Sequence, residues 1–104
     1  MKRSGSFSRE SKVAGVVRHY VAEIIRDKYA SLGITIVDAE ARGGLSFVRL
    51  YYQGRKQDLR RLLSPIRFEL AHRMNQKYVP QIELSYDPTL ETADRIESLL
   101  KMAQ

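Results

Sequence analysis

The stretch Leu59-Arg60-Arg61-Leu62-Leu63-Ser64-Pro65-Ile66-Arg67-Phe68-Glu69-Leu70 carries one apolar rhythm across a helix breaker. Leu59, Leu62, Leu63, Ile66 and Leu70 recur at steps of three and four, which places them on one face of a helix. Proline has no amide donor and its ring clashes with the preceding turn, so Ser64-Pro65 interrupts that face. The stretch therefore reads as helix, break, helix. Ser64 is expected to cap the second helix, with Pro65 in its first position.

The period changes on either side of this pair. Upstream, Ile34 to Arg42 and Leu45 to Gln53 are rich in β-branched and aromatic residues, and Gly43-Gly44 between them suits a two-residue hairpin turn. Along the second strand Val48, Leu50 and Tyr52 share one face, while Phe47, Arg49 and Tyr51 share the other. Further back, Val13, Val17, Val21, Ile24 and Ile25 form a helical stripe from about Ser8 to Ala30, with Ser8 as a cap and Gly33 in the left-handed closing position. Downstream, Val79 to Asp87 alternates Ile82, Leu84 and Tyr86 with Gln81, Glu83 and Ser85, a half-buried strand with Pro80 at its beginning. Asp87-Pro88 then starts a last helix striped by Leu90, Ala93, Ile96, Leu99 and Leu100. The order helix, strand, strand, helix, helix, strand, helix defines an α+β domain in which helices must cover the aliphatic side of a three-stranded sheet.

A chain of 104 residues with 43% apolar and 29% charged residues suits one folded domain with a core of its own. Cysteine is absent, which excludes disulfides, thiolate zinc sites, iron–sulfur clusters and thiol nucleophiles. The start, Met1-Lys2-Arg3-Ser4-Gly5-Ser6-Phe7-Ser8, lacks the apolar run of a secretory signal, and no stretch has the length and apolarity of a spanning helix. A soluble cytoplasmic protein is expected. Residues 1–7 read as a flexible basic arm and residues 8–104 as the domain. The net charge of +6 and pI near 9.8 favour a polyanionic partner, nucleic acid before anionic membrane. The charge is uneven: residues 1–80 carry a net of +9 and residues 81–104 a net of −3.

Four pieces of this pattern resemble the ribosome-binding factor A family of bacterial small-subunit assembly factors: Lys12-Val13-Ala14, Ile66-Arg67-Phe68-Glu69-Leu70-Ala71, Val79-Pro80-Gln81-Ile82-Glu83-Leu84-Ser85-Tyr86-Asp87, and Leu90-Glu91 with Arg95-Ile96 and Leu99-Leu100. The resemblance runs from Ser8 to Leu100. It implies a type II KH-like α-β-β-α-kink-α-β domain with a C-terminal helix, its three-stranded mixed sheet covered on one face by helices. It also implies a non-enzymatic, monomeric factor without cofactor that binds 16S rRNA and free 30S subunits, assists rRNA maturation, and meets assembly GTPases and ribosomal proteins at that stage. KH domains clamp the RNA backbone with a glycine-rich loop between two helices. The family replaces that loop by an Ala-x-Gly kink, and here the position reads Leu63-Ser64-Pro65. The expected grip therefore moves from backbone amides to side chains.

The cations available for it are Arg55, Lys56, Arg60, Arg61, Arg67, Arg73 and Lys77, opposed in that stretch by Asp58 and Glu69 alone. Arg60, Arg67 and Lys77 avoid the leucine stripe and are expected to project outward, where phosphates can meet them. Lys2, Arg3, Arg9 and Lys12 form a second cluster at a helix start, where cations oppose the helix dipole; either an arm folding onto RNA or a solvated terminus accounts for them. Ser64 suits a phosphate contact or simple capping. Phe47, Arg49 and Tyr51 could stack unpaired bases, but packing of that face against the last helix is the preferred reading. Asp38, Glu40 and Glu83 are expected to solvate sheet edges. His19 and His72 have no second ligand at metal spacing, so no metal site is expected. Neither a poised serine with its base nor a carboxylate pair in a cleft is suggested. The second functional reading is a basic module that binds an acidic protein.

Overall fold

In a computed structural model of the chain, residues 9–43, 46–75 and 78–102 are described, with 90–94 described by backbone alone. Arg3, Ser8 and Lys77, all singled out above, lie outside these residues.

Helix α1 (Arg9–Lys28) is followed by a 3-10 turn (Ala30–Leu32). Strands β1 (Ile34–Arg42) and β2 (Phe47–Gly54) come next, then a second 3-10 turn (Arg60–Leu62), α2 (Leu63–Met74), β3 (Gln81–Tyr86) and α3 (Thr89–Met102). The sheet order is β1-β2-β3; β1 and β2 are antiparallel, β2 and β3 parallel. This is the mixed three-stranded sheet of a KH-like α+β domain.

Period-two alternation puts Val48, Leu50 and Tyr52 on the inner face of β2, flanked by Ile82, Leu84 and Tyr86 of β3. A bulge between Ile36 and Asp38 resets β1, so that Ile36 faces inward before it and Ala39 and Ala41 pack on the core after it. Val17, Val21 and Ile24 of α1 and Ile66 and Leu70 of α2 close over this face, all five fully buried. Burying each such side chain contributes about 1.5 to 3 kcal/mol. Two helices on one sheet face thus make a single core, and the opposite face carries Phe47 and Tyr51 among charged and polar residues.

Several expectations are corrected. The described ladder ends at the Arg42–Phe47 pair, with Ser46 Oγ donating to the Gly43 carbonyl at 2.8 Å, while Gly44 of the expected turn and Leu45 lie outside the described residues. The first helix of the expected pair is a single 3-10 turn, and α2 begins at Leu63, so Ser64 is not the cap and Pro65 is the third helical residue. The first four amides of a helix have no intrahelical acceptor, so proline is tolerated throughout the first turn and marks the start only to within a few residues. Gly33, at φ +70°, closes the 3-10 turn rather than α1 itself. Among the described residues, helix α3 packs extensively on no other element, and Ile96, Leu99, Leu100 and Met102 stay exposed.

Candidate nucleic-acid interface

The chain leaves β2 through Gly54 (φ +109°), and the segment after it is tied down at each step. The Arg55 amide donates to the Gly33 carbonyl at 3.1 Å. The buried Tyr52 hydroxyl donates to the Gln57 carbonyl at 2.9 Å and accepts from the Gln57 amide at 3.2 Å. The Gln57 side-chain amide donates to the Leu32 and Arg55 carbonyls at 3.0 and 2.9 Å. Arg55 and Lys56 therefore stand exposed on a backbone with little freedom left, and the Lys56 ammonium lies 5.5 Å from the Tyr86 ring centre. Charged groups on a fixed backbone lose less entropy on meeting a ligand than those on a mobile loop.

Next come Arg60 and Arg61, both exposed. Asp58 accepts the Arg60 amide at 3.0 Å and its guanidinium at 3.0 and 2.8 Å. Hydrogen bonds from the Arg60 side chain and backbone hold the Asp58 carboxyl far below the usual carboxylate range, and the same pairing raises Arg60. With 85% of its side chain exposed, Arg60 still presents its outer surface to solvent. Among the described residues no ion pair engages Arg55, Lys56 or Arg61. Ser64 is exposed at the first turn of α2. Arg55, Lys56, Arg60, Arg61 and Ser64 are thus all exposed within one short stretch of chain.

Arg67 and Arg73 are corrected away from it. Arg67 does not project outward: its Nε donates to the Pro80 carbonyl at 2.9 Å and its Nη2 to the Val79 carbonyl at 2.6 Å. Arg73 is 20% exposed and sits 3.1 Å from both Glu23 and Asp27 and 3.3 Å from Glu69. The Asp27 hydrogen bond leads in raising the Arg73 guanidinium. At Glu69 desolvation pushes the carboxyl up, but the hydrogen bonds from Arg73 and Lys28 outweigh it and the net shift is downward. A residue off the leucine stripe is outward only with respect to its own helix. Beside Arg67 runs the lead into β3, and beside Arg73 lies the acidic face of α1.

Arg9 and Lys12 are exposed on the first turns of α1, and among the described residues no hydrogen bond or ion pair links them to the Arg55–Arg61 run. His19 lies 3.8 Å from Glu23, and the His72 Nδ1 is 3.1 Å from the Phe68 carbonyl. Among the described residues no group of three or more His, Asp or Glu side chains could hold a metal.

Among the described residues, the Phe47, Arg49, Tyr51 face makes no extensive contact with the last helix. Arg49 Nε donates to Glu83 at 2.9 Å, and the Tyr51 hydroxyl donates to Glu40 at 3.0 Å. The Glu83 hydrogen bond raises the Arg49 guanidinium. Glu40 and Glu83, expected as solvated edges, stay about half exposed and also pair with Tyr51 and Arg49 on this face. A further feature escapes the sequence. Between α2 and β3 lies an open groove of about 600 Å³, lined by Arg60, Ser64, Arg67, Phe68, Val79 and Gln81 among others, and at its side Phe68 is 68% exposed. The only signal is that Phe68 falls off the leucine stripe.

A half-covered mixed sheet, a tight basic connection after β2 and a helix beginning directly after it define a small KH-like domain. Residues 9–100 match the sequence profile of Ribosome-binding factor A, and the chain belongs to that family. Its relatives include the ribosome-binding factors A of Methylobacillus flagellatus, 28% identical with 93% of this chain and 86% of the relative covered, and of Bradyrhizobium sp. strain BTAi1, 32% identical with 94% and 81% covered. Among solved structures the fold is similar to the crystal structure of ribosome-binding factor A from Thermus thermophilus, with a TM-score of 0.60 at 15% identity over 74% of this chain and 94% of that one. It is also similar to a homology model of the Thermus thermophilus ribosome-binding factor A fitted into a cryo-EM map of its complex with the 30S subunit, with a TM-score of 0.62 at 16% identity over 72% and 91%.

Proposed function

We propose that this protein binds free 30S subunits through their 16S rRNA and assists maturation of that RNA without making or breaking a bond. The observation that carries this reading is the exposed run Arg55, Lys56, Arg60 and Arg61, held on a tied backbone in a member of a ribosome-binding family. Four exposed cations within seven residues suit a polyanion, whose phosphates each take one cation. The complex in the second solved relative supports the same partner. Arg9 and Lys12, with Arg3 of the arm, extend the contact, and Ser64 adds a neutral donor. Arg67 donates from Nε and Nη2 and Arg73 from Nε and Nη1 within the protein, and both serve the fold. Assembly GTPases acting on the same particle, in the cytoplasm, are the further partners of this reading.

A sucrose gradient of cell lysate tests it. Comigration with free small subunits and not with translating ribosomes is expected. A peak at the top of the gradient under low salt would overturn it.

A further inference from the structure

We propose that the open edge of β1, with the groove between it and α1, takes a short extended segment of a partner protein as a fourth strand. The segment carries apolar side chains at alternate positions and carboxylates at its ends. The inference stands apart from the RNA-binding reading and uses none of its cations.

Strand β1 lies at the edge of the sheet, and among the described residues no strand pairs with its outer side. The register fixes what that side offers. The Gly33 carbonyl accepts from the Arg55 amide, so Gly33 and then Thr35 turn their polar backbone groups toward β2, and Ile34 and Ile36 turn theirs away from it. Two amides and two carbonyls, spaced as an incoming strand needs them, therefore face the open edge. Beyond Ile36 the edge is closed: the bulge between Ile36 and Asp38 breaks the ladder, and the Arg18 guanidinium donates to the Val37 carbonyl at 3.3 Å. Folded proteins blunt sheet edges with bulges and charged side chains. Here that protection begins at Val37 and leaves the backbone edge of Ile34 to Ile36 open.

A groove of about 300 Å³ runs along the same three residues, walled on its other side by Ala22, Ile25 and Arg26 of α1 and by Ala30 of the 3-10 turn. Its chemistry selects the guest. Ala22 and Ala30 are small and Ile25 is buried behind them, so guest side chains that point toward α1 meet an apolar wall with room beside it. Arg26 stands exposed on that wall, and among the described residues no ion pair engages it. Arg18 stands at the closed end. The described lining holds no carboxylate, so acids flanking the guest strand find cations and meet no repulsion. An RNA strand has no ladder of amides and carbonyls with which to complete this edge. The β1 of a second copy would bring its own bulge, and its own Arg18 and Arg26, to the same place, which disfavours self-pairing.

The probe is a short labelled peptide of alternating valine and threonine with glutamate at both ends, titrated into the full chain and followed by anisotropy and by amide hydrogen exchange. Binding is expected to protect the Ile34 and Ile36 amides and to leave Thr35, whose polar groups face β2, unchanged. Methylating every amide between the glutamates removes the guest's donors and is expected to abolish binding. Lysine in place of glutamate should weaken binding about tenfold, and Arg26→Glu should reverse that preference. Arg26 is exposed and outside the core, so the variant is expected to melt with the parent. Equal binding of the methylated peptide would overturn the fourth strand, as would protection away from Ile34 and Ile36, or no binding at millimolar peptide. Protection of these two amides in the protein alone, rising with its concentration, would assign the edge to a second copy and overturn the proposal. Protection of the same amides by oligoadenylate in place of the peptide would assign it to RNA, with the same consequence.

Discussion

At the scale of single residues, Gly54 holds the β2 exit against the turn that follows α1. A Cβ at this position would lie 2.3 Å from the Gly33 carbonyl oxygen, and the backbone is at φ +109°. Both the contact and the conformation exclude a side chain, and a residue forced into such a region costs about 1 to 3 kcal/mol before the clash is counted. Gly54→Ala is therefore expected to lower stability by about 3 kcal/mol in urea unfolding. Gly15→Ala is the control: Gly15 is helical and has open space around it, so alanine there should add about 0.5 to 1 kcal/mol. Gly33 and Gly43 are legible in the sequence, because a glycine after a helix or between two strands announces a turn. Gly54 carries no such signal, since its need arises from a carbonyl 21 positions away that approaches only in the folded chain. Tyr52 is legible as an inward residue but not as the latch on Gln57, for the same reason.

At the scale of elements, the periods three-and-four and two identify each long helix and strand, because each of these elements presents one apolar face. What the period does not show is which neighbour lies beside the other faces. Arg67 and Arg73 read as phosphate ligands from the sequence, yet the β3 lead and the acidic side of α1 occupy them. The stripe on α3 likewise reads as buried, against the Phe47, Arg49 and Tyr51 face, yet Ile96, Leu99 and Leu100 stay exposed. Arg67→Ala leaves the Val79 and Pro80 carbonyls without their donor and is expected to cost about 1 to 3 kcal/mol. Arg73→Ala should lower the melting temperature as well, since it removes the cation shared by Glu23, Asp27 and Glu69. Arg61→Ala should stay within about 0.5 kcal/mol of the parent, as an exposed side chain without an ion pair among the described residues. Thermal melts of the three variants, compared with their RNA affinities, separate structural from binding arginines. Arg61→Ala alone should weaken binding while leaving the melt in place.

At the scale of the whole molecule, the sheet divides the surface by cover. Helices α1 and α2 and the basic run belong to one side, and the acidic and tyrosine pairs of the outer sheet face to the other. Along the chain the charge is uneven, with a net of +9 on residues 1–80 and −3 on residues 81–104. A polyanion is thereby offered one approach, centred on Arg55, Lys56, Arg60 and Arg61. Each phosphate contact contributes roughly 0.7 to 0.9 to the fall of log affinity with log salt, so four contacts give a slope of about 3. The direct measurement is the affinity of the protein for free 30S subunits across a salt series, made in parallel on a variant with Arg55, Lys56, Arg60 and Arg61 all replaced by Ala. The expected results are a slope of at least about 3 for the parent, with Arg3, Arg9 and Lys12 adding to it, and a slope lower by about 3 for the variant. A slope near zero for the parent, or an unchanged affinity in the variant, would contradict the assignment of this surface to RNA.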